Sequence, residues 1–170
     1  MLSIDVANYL IDKWGDKIVL TNLKLNKLVY FTQADSLRLT GNPIFEDEIQ
    51  AWQYGPVEPM VYRNFSTYGR NRITEPTSHP DVSQKNADII DGVAKELGNL
   101  SAFDLVNLSH NPNGAWASVY SQGFNKVISP KDIIDSCDAN NERRRVITFS
   151  KAAEDALRSM PNAMQLLENS

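Results

Sequence analysis

The sequence predicts a mainly α-helical domain with a small β element, an α+β fold in which several helices pack around a central helix at about residues 22–40. Apolar residues recur at steps of three and four through most of the chain, between residues that can cap a helix and Gly or Pro residues that can end one. Two short segments, residues 49–54 and 146–149, have strand character instead. A chain of 170 residues without an internal repeat or a low-complexity linker is predicted to form one domain, residues 1–170.

The two N-terminal helices are predicted from their caps and their periodicity. Ser3 can cap the first helix, whose apolar residues recur until Gly15 supplies a stop. Thr21 can cap the second helix, which is predicted to run to Gly41. The apolar residues of this second helix fall into two bands around the helical wheel, so it is predicted to lie at the centre of the core.

The segment after the second helix predicts a loop, a strand, a turn and a third helix. An acidic loop at residues 46–48 precedes residues 49–54, which alternate between two faces and predict a strand. Gly55 and Pro56 are predicted to end this strand and begin a turn. Pro59 suits the first turn of a helix, and Glu58 can interact with the positive end of its dipole.

The remaining elements are predicted from further caps. Residues 71–82 contain two prolines and no periodicity, which predicts a loop. Further helices are predicted to begin at Ser83 or Asp81, at Ser101 with Asp104 as a capping box, near Trp116, and at Ser129-Pro130 with an extension through Cys137. The C-terminal region is predicted to contain the strand at residues 146–149, as a candidate partner for residues 49–54, and a helix capped by Ser150.

The charge of the chain disfavours a nucleic-acid partner. There are 21 acidic and 17 basic residues, a formal net charge of −4, whereas neutralising phosphates requires a concentrated basic face. Two basic clusters are candidates for such a face: Lys24 with Lys27, and the three arginines at residues 143–145. The arginines are interpreted first as a solvated strand edge or linker, and a nucleic-acid-binding regulator is kept as an alternative.

The sequence predicts a cytoplasmic protein. The N-terminal segment has Asp5 and Asp12 within its apolar run, unlike a signal peptide, and no window approaches the ~18 apolar residues that cross a bilayer. Cys137 has no second cysteine with which to form an intramolecular disulfide.

The sequence predicts no metal, no cofactor and no catalytic site. His79, His110 and Cys137 lack the spacing of zinc ligands, and no glycine-rich phosphate-binding motif is present. Consecutive acids such as those at residues 46–48 usually point apart into water, which disfavours a divalent ion. His110 is the candidate general base of an alternative enzyme hypothesis, but a histidine that ends a helix also has a structural role at the negative end of the dipole.

Trp52, Tyr54 and Tyr62 allow two interpretations. Their rings can close the core over the central helix, or they can form a surface for a protein partner, because Trp and Tyr are concentrated at interface hot spots. The sequence does not decide between these alternatives.

Four motifs carry a resemblance to a known family. They are DVANYLI at residues 5–11, TNLKLNKLVYFTQ at 21–33, EIQAWQYGPVEPMVY at 48–62 and LSHNPNGAW at 108–116. In this order and spacing the chain resembles the Panacea-domain antitoxin family, which includes SocA-like antitoxins and phage-associated GepA-like proteins. The resemblance covers about residues 1–121 and leaves residues 126–170 unmatched. The chain has Ala115 where many relatives have Pro, and ADSL after Gln33 where an aromatic residue often occurs.

The resemblance implies an antitoxin of a bacterial or prophage toxin–antitoxin system, which is not an enzyme and binds a cognate protein toxin encoded by a neighbouring gene. It also implies an alternative role as an adaptor that delivers a partner to a ClpXP-type protease. The acidic loop would attract a basic toxin. The residues that we expect at the partner interface are Trp52, Tyr54, Tyr62, Arg63, Glu46 and Glu48.

Overall fold

The structure, a computed structural model, describes residues 1–140, which are mainly α-helical with a small antiparallel sheet, as predicted. The helices are α1 (Ser3–Trp14), α2 (Asn22–Thr40), α3 (Pro59–Asn64), α4 (Gln84–Leu97), α5 (Ala102–Ser109), α6 (Ala115–Tyr120) and α7 (Pro130–Ile134), with single 3-10 turns at Ser66–Tyr68 and Cys137–Ala139. The strands are β1 (Ile49–Trp52), β2 (Gly55–Val57) and β3 (Val127–Ile128). The predicted strand at 146–149, the helix capped by Ser150 and the arginines at 143–145 lie outside the described residues.

Helix α2 is the centre of the core, as its two apolar bands predict. It packs against α1, α3, α4, α5, α7 and β2, and nearly all of its residues up to Leu37 are buried. Thr21 caps its first turn by accepting a hydrogen bond from the main-chain N–H of Lys24 (3.3 Å). Gly41 ends the helix in the left-handed conformation (φ 72°), which glycine adopts without steric penalty.

Most of the predicted caps are confirmed, but the first is wrong. The side chains that accept hydrogen bonds from the first turn of a helix are those of Thr21, Glu58, Ser83, Ser101 and Ser129. At α1 the cap position is Leu2, and Ser3 is the first helical residue. The N–H of Ser3 donates to Asp47 Oδ2 (2.6 Å), so a contact from a distant loop replaces the local cap.

The sheet differs from the prediction on both sides of β1. Gly55 and Pro56 do not end the ladder: Gly55–Val57 returns antiparallel to β1, with Trp52 opposite Gly55 and Ala51 opposite Pro56. Pro56 is tolerated because β2 is an edge strand of the order β2-β1-β3. On the other side of β1, Ile49 pairs with Ile128 of β3. A two-residue strand is too short to produce a recognisable alternation, so the sequence did not predict β3.

No helix of the described part of the chain combines the length and the apolar character needed to span a membrane.

Candidate functional site

Helix α2 holds the segment that follows the β1–β2 hairpin through three polar side chains. All three bind main-chain groups of residues 56–62, within the EIQAWQYGPVEPMVY motif. The bonds join Asn22 Nδ2 to the Tyr62 carbonyl oxygen (2.9 Å), the Glu58 N–H to Asn26 Oδ1 (3.0 Å), and Lys27 Nζ to the Pro56 carbonyl oxygen (2.9 Å). The polar residues of the TNLKLNK motif therefore position the YGPVEPMVY motif.

Lys27 lies in the core, where its side chain has 0% exposure. Burial disfavours the ammonium and lowers the pKa of Lys27 from 10.5 to about 7. The hairpin approaches this side chain closely at Gly55, which has φ +100°. A Cβ at Gly55 would lie 2.6 Å from Ser109 Oγ and 2.9 Å from Lys27 Cε, so only glycine fits between the hairpin, α2 and α5.

The LSHNPNGAW motif holds the other end of the hairpin. Trp116 Nε1 donates to the carbonyl oxygen of Trp52 (2.8 Å), where β1 ends. The ring of His110 stacks on Trp116, with centroids 3.7 Å apart and planes at 5°. Three of the four sequence motifs therefore converge on one short hairpin.

The surroundings of His110 favour the structural role of this residue. It follows the last residue of α5, and its N–H donates to the carbonyl oxygen of Val106 (2.9 Å). Desolvation, and then the positive charge of Lys27, lower the pKa of His110. Asp104, the carboxylate considered as its orienting partner, instead accepts hydrogen bonds from the N–H (3.1 Å) and Oγ (2.8 Å) of Ser101. His110 Nε2 is buried and has no hydrogen-bond partner among residues 1–140.

The hairpin and α3 present three of the predicted interface residues together. Trp52 is half-buried and packs edge-to-face on Tyr62, with ring centroids 5.1 Å apart, while Tyr54 and Tyr62 are 62% and 42% exposed. These rings line a cavity of about 470 Å³, hereafter the aromatic groove. Its lining includes Leu23, Trp52, Tyr54, Val57, Tyr62 and Arg70. The two tyrosines are thus surface residues, and Trp52 lies between surface and core.

The other predicted interface residues lie elsewhere. Glu46 and Glu48 are exposed and line a smaller cavity of about 140 Å³, which shares no residue with the aromatic groove. Arg63 is exposed on α3, places its guanidinium near Met60 Sδ (3.3 Å) and lines neither cavity. Arg70 was not predicted as a groove residue. The signal for it was that residues 61–72 contain three arginines and no acidic residue.

Lys24 and Lys27 do not form a basic surface. Their side chains are 7% and 0% exposed, so the interpretation of this pair as a phosphate-binding cluster is wrong. Residues three apart share a face of a helix, but α2 is covered on nearly all sides, so the face of Lys24 and Lys27 is not free for phosphate. Among residues 1–140 there is also no group of three or more His, Cys, Asp or Glu side chains arranged to hold a metal ion.

Comparison with known proteins identifies the family. The family model described as "Antitoxin SocA-like, Panacea domain" matches residues 25–117, more than half of the chain. The chain therefore belongs to the SocA-like Panacea-domain family. It is similar to Antitoxin SocA of Caulobacter vibrioides (strain NA1000 / CB15N), with 36% identity over 124 residues. The alignment covers 65% of this chain and 66% of that relative, slightly less than two thirds of its length. No solved structure gives a match.

Proposed function

We propose that this protein is an antitoxin that neutralises a protein toxin encoded by a neighbouring gene, by binding it directly through the aromatic groove. The observation that carries this proposal is the exposure of Tyr54 and Tyr62 beside a hairpin that belongs to the region matched by the antitoxin family model. The proposed place of action is the cytoplasm, where the toxin would be made.

The groove has the properties of a protein-binding surface. Large aromatic side chains bury much area on binding and lose few rotamers, and for this reason Tyr and Trp dominate interface hot spots. The hydrogen bonds that the side chains of Asn22, Asn26 and Lys27 form with the main chain hold it behind the rings. A surface ordered before binding loses less entropy when a partner docks. The proposal assigns no bond-making role to His110, whose ring supports Trp116.

Co-expression tests the antitoxin role. The reading frame beside the gene is induced in a bacterial host with and without this protein, and growth is followed. We expect growth arrest without the protein and recovery with it. Equal arrest in both cultures would contradict the proposal.

Two alanine variants test the surface. We expect Tyr54→Ala and Tyr62→Ala each to weaken toxin binding by about 2 kcal/mol, or about 30-fold, and the double variant to lose protection. Phe103→Ala is the matched control, because Phe103 is an aromatic residue of 69% exposure on α5, outside the groove. Melting temperatures are measured in parallel, since the packing of Tyr62 on Trp52 also contributes about 1 kcal/mol to stability. Full protection by the double variant would exclude the aromatic groove as the contact surface.

A further inference from the structure

We propose that the aromatic groove takes a segment of the partner polypeptide in which an apolar anchor lies beside a carboxylate, and that this carboxylate pairs with Arg70. This inference rests on the proposed function and specifies the chemistry of the partner. The segment that enters the groove would carry a negative charge, whereas the acidic loop at residues 46–48 suggests a basic partner.

Arg70 lines the aromatic groove together with Trp52, Tyr54 and Tyr62, and among the described residues the lining contains no Asp or Glu. The ion pairs formed among residues 1–140 involve Arg38, His79 and Lys131, so Arg70 has no carboxylate partner there. An exposed guanidinium at the rim of an apolar groove is available for a bidentate pair with an incoming carboxylate.

The acids on either side of Arg70 in sequence do not neutralise this charge. Glu75, the nearest, forms no ion pair with Arg70 among residues 1–140, and Glu58 is buried at the N-cap of α3. Its Oε1 accepts from the N–H of Met60 (3.0 Å) and its Oε2 from the N–H of Val61 (2.6 Å). Both oxygens therefore serve the helix cap, and the groove keeps its positive character.

The other arginines close to Arg70 in sequence do not line the groove. Arg63 is exposed on α3 and lines neither cavity, and Arg72 uses its guanidinium to donate to the carbonyl oxygen of Gly15. The acidic residues Glu46 and Glu48 line the separate, smaller cavity. A basic segment entering the aromatic groove would be repelled by Arg70, whereas an acidic segment would be attracted to it and held in register.

The chemistry favours a polypeptide over a nucleic acid. A phosphate backbone needs a track of cations, but the groove lining formed by residues 1–140 holds one arginine, and the protein has a formal net charge of −4. The apolar lining from Leu23 and Val57 suits an aliphatic or aromatic side chain next to the carboxylate.

Charge variants test the pairing with the toxin. The purified protein is titrated with the purified product of the neighbouring reading frame at 50 and 500 mM NaCl. We expect Arg70→Glu to weaken binding by about 10-fold to 100-fold at low salt, and Arg70→Gln to weaken it less and to reduce the salt dependence. The matched control is Arg63→Glu, which makes the same change of charge on the same segment but outside the groove, and we expect less than about a 3-fold effect. If Arg63→Glu and Arg70→Glu weaken binding equally, Arg70 acts only through long-range attraction and forms no specific ion pair. That result would overturn the inference.

A second arm is independent of the toxin. Two fluorescein-labelled dodecapeptides share an apolar centre of Leu and Phe and differ only in flanks of Glu or of Lys. We expect the peptide with Glu flanks to bind at least about 10-fold more tightly, with this preference lost in Arg70→Gln. No preference between the peptides, or Arg70-dependent binding of a 20-nucleotide single-stranded DNA instead, would overturn the inference. If the Glu preference holds but the toxin does not bind, the proposed function fails alone.

Discussion

The burial of Lys27 in α2 predicts how the free energy of unfolding depends on pH. In the unfolded chain Lys27 holds its proton up to a pKa of 10.5, whereas in the folded protein burial lowers this pKa to about 7. Between these values the unfolded state binds more protons than the folded state, so the free energy of unfolding rises as the pH is raised. At pH values below about 7 both states are protonated, and the full desolvation penalty remains.

The magnitude follows from the width of the window. One pH unit changes the free energy of unfolding by at most about 1.4 kcal/mol per differing proton, so Lys27 contributes on the order of 2 kcal/mol between pH 7.5 and 9.5. His110 does not disturb this window, because its pKa is lowered from 6.5 and its titration lies at lower pH. Lys24, whose pKa burial also lowers, shifts stability in the same direction in every variant and cancels in the comparison.

The assay is urea denaturation followed by tryptophan fluorescence at pH 7.5, 8.5 and 9.5. The variant is Lys27→Met, which keeps the shape of the side chain and removes the charge. The substitution also leaves the Pro56 carbonyl oxygen without its donor. This penalty is the same at each pH, so it does not change how the free energy of unfolding varies with pH. We expect the rise with pH to be smaller by on the order of 2 kcal/mol in Lys27→Met than in the wild type. The control Lys85→Met, on the exposed face of α4, should keep the wild-type slope. Parallel curves for the wild type and Lys27→Met would refute the reasoning.

Three further predictions, two on the hairpin and one on α4, are each checked by urea denaturation. Gly55→Ala should lower the free energy of unfolding by about 2 kcal/mol or more, because its Cβ would approach Ser109 Oγ to 2.6 Å and the residue has φ +100°. Gly92→Ala should raise it by about 0.5–1 kcal/mol, because among residues 1–140 a Cβ at this helical position meets nothing within 4 Å outside its own stretch of helix, and a loss of stability would contradict this. Trp116→Phe should lower it by about 1–3 kcal/mol, because the Trp52 carbonyl oxygen loses its indole donor, and an unchanged value would show that this bond does not hold the hairpin.

The candidate site was partly predictable. Trp52, Tyr54 and Tyr62 were expected to contact a partner, and the structure brings them to one groove. Their assignment to core or surface could not be read from the alternating pattern, because α3 folds back so that Tyr62 meets Trp52. The position of a positive charge beside the rings was not predicted either. Glu46 and Glu48 are nearer to Trp52 in sequence than Arg70 is, yet it is Arg70 that lines the groove.

The sequence alone determined the features that depend on local interactions, namely the helix caps and the apolar bands of the helices. Caps such as Thr21 and Ser101 act on main-chain groups three residues away, and the apolar bands of α2 follow from helical geometry alone. The sequence also contains the family motifs and predicted the central position of α2. Folding in three dimensions was needed to pair β2 and β3 with β1 and to bury Lys27. These features depend on partners far apart in the chain, because Lys27 meets Pro56 across 29 residues and Trp116 meets Trp52 across 64. Short-range periodicity contains no information about such distant pairs.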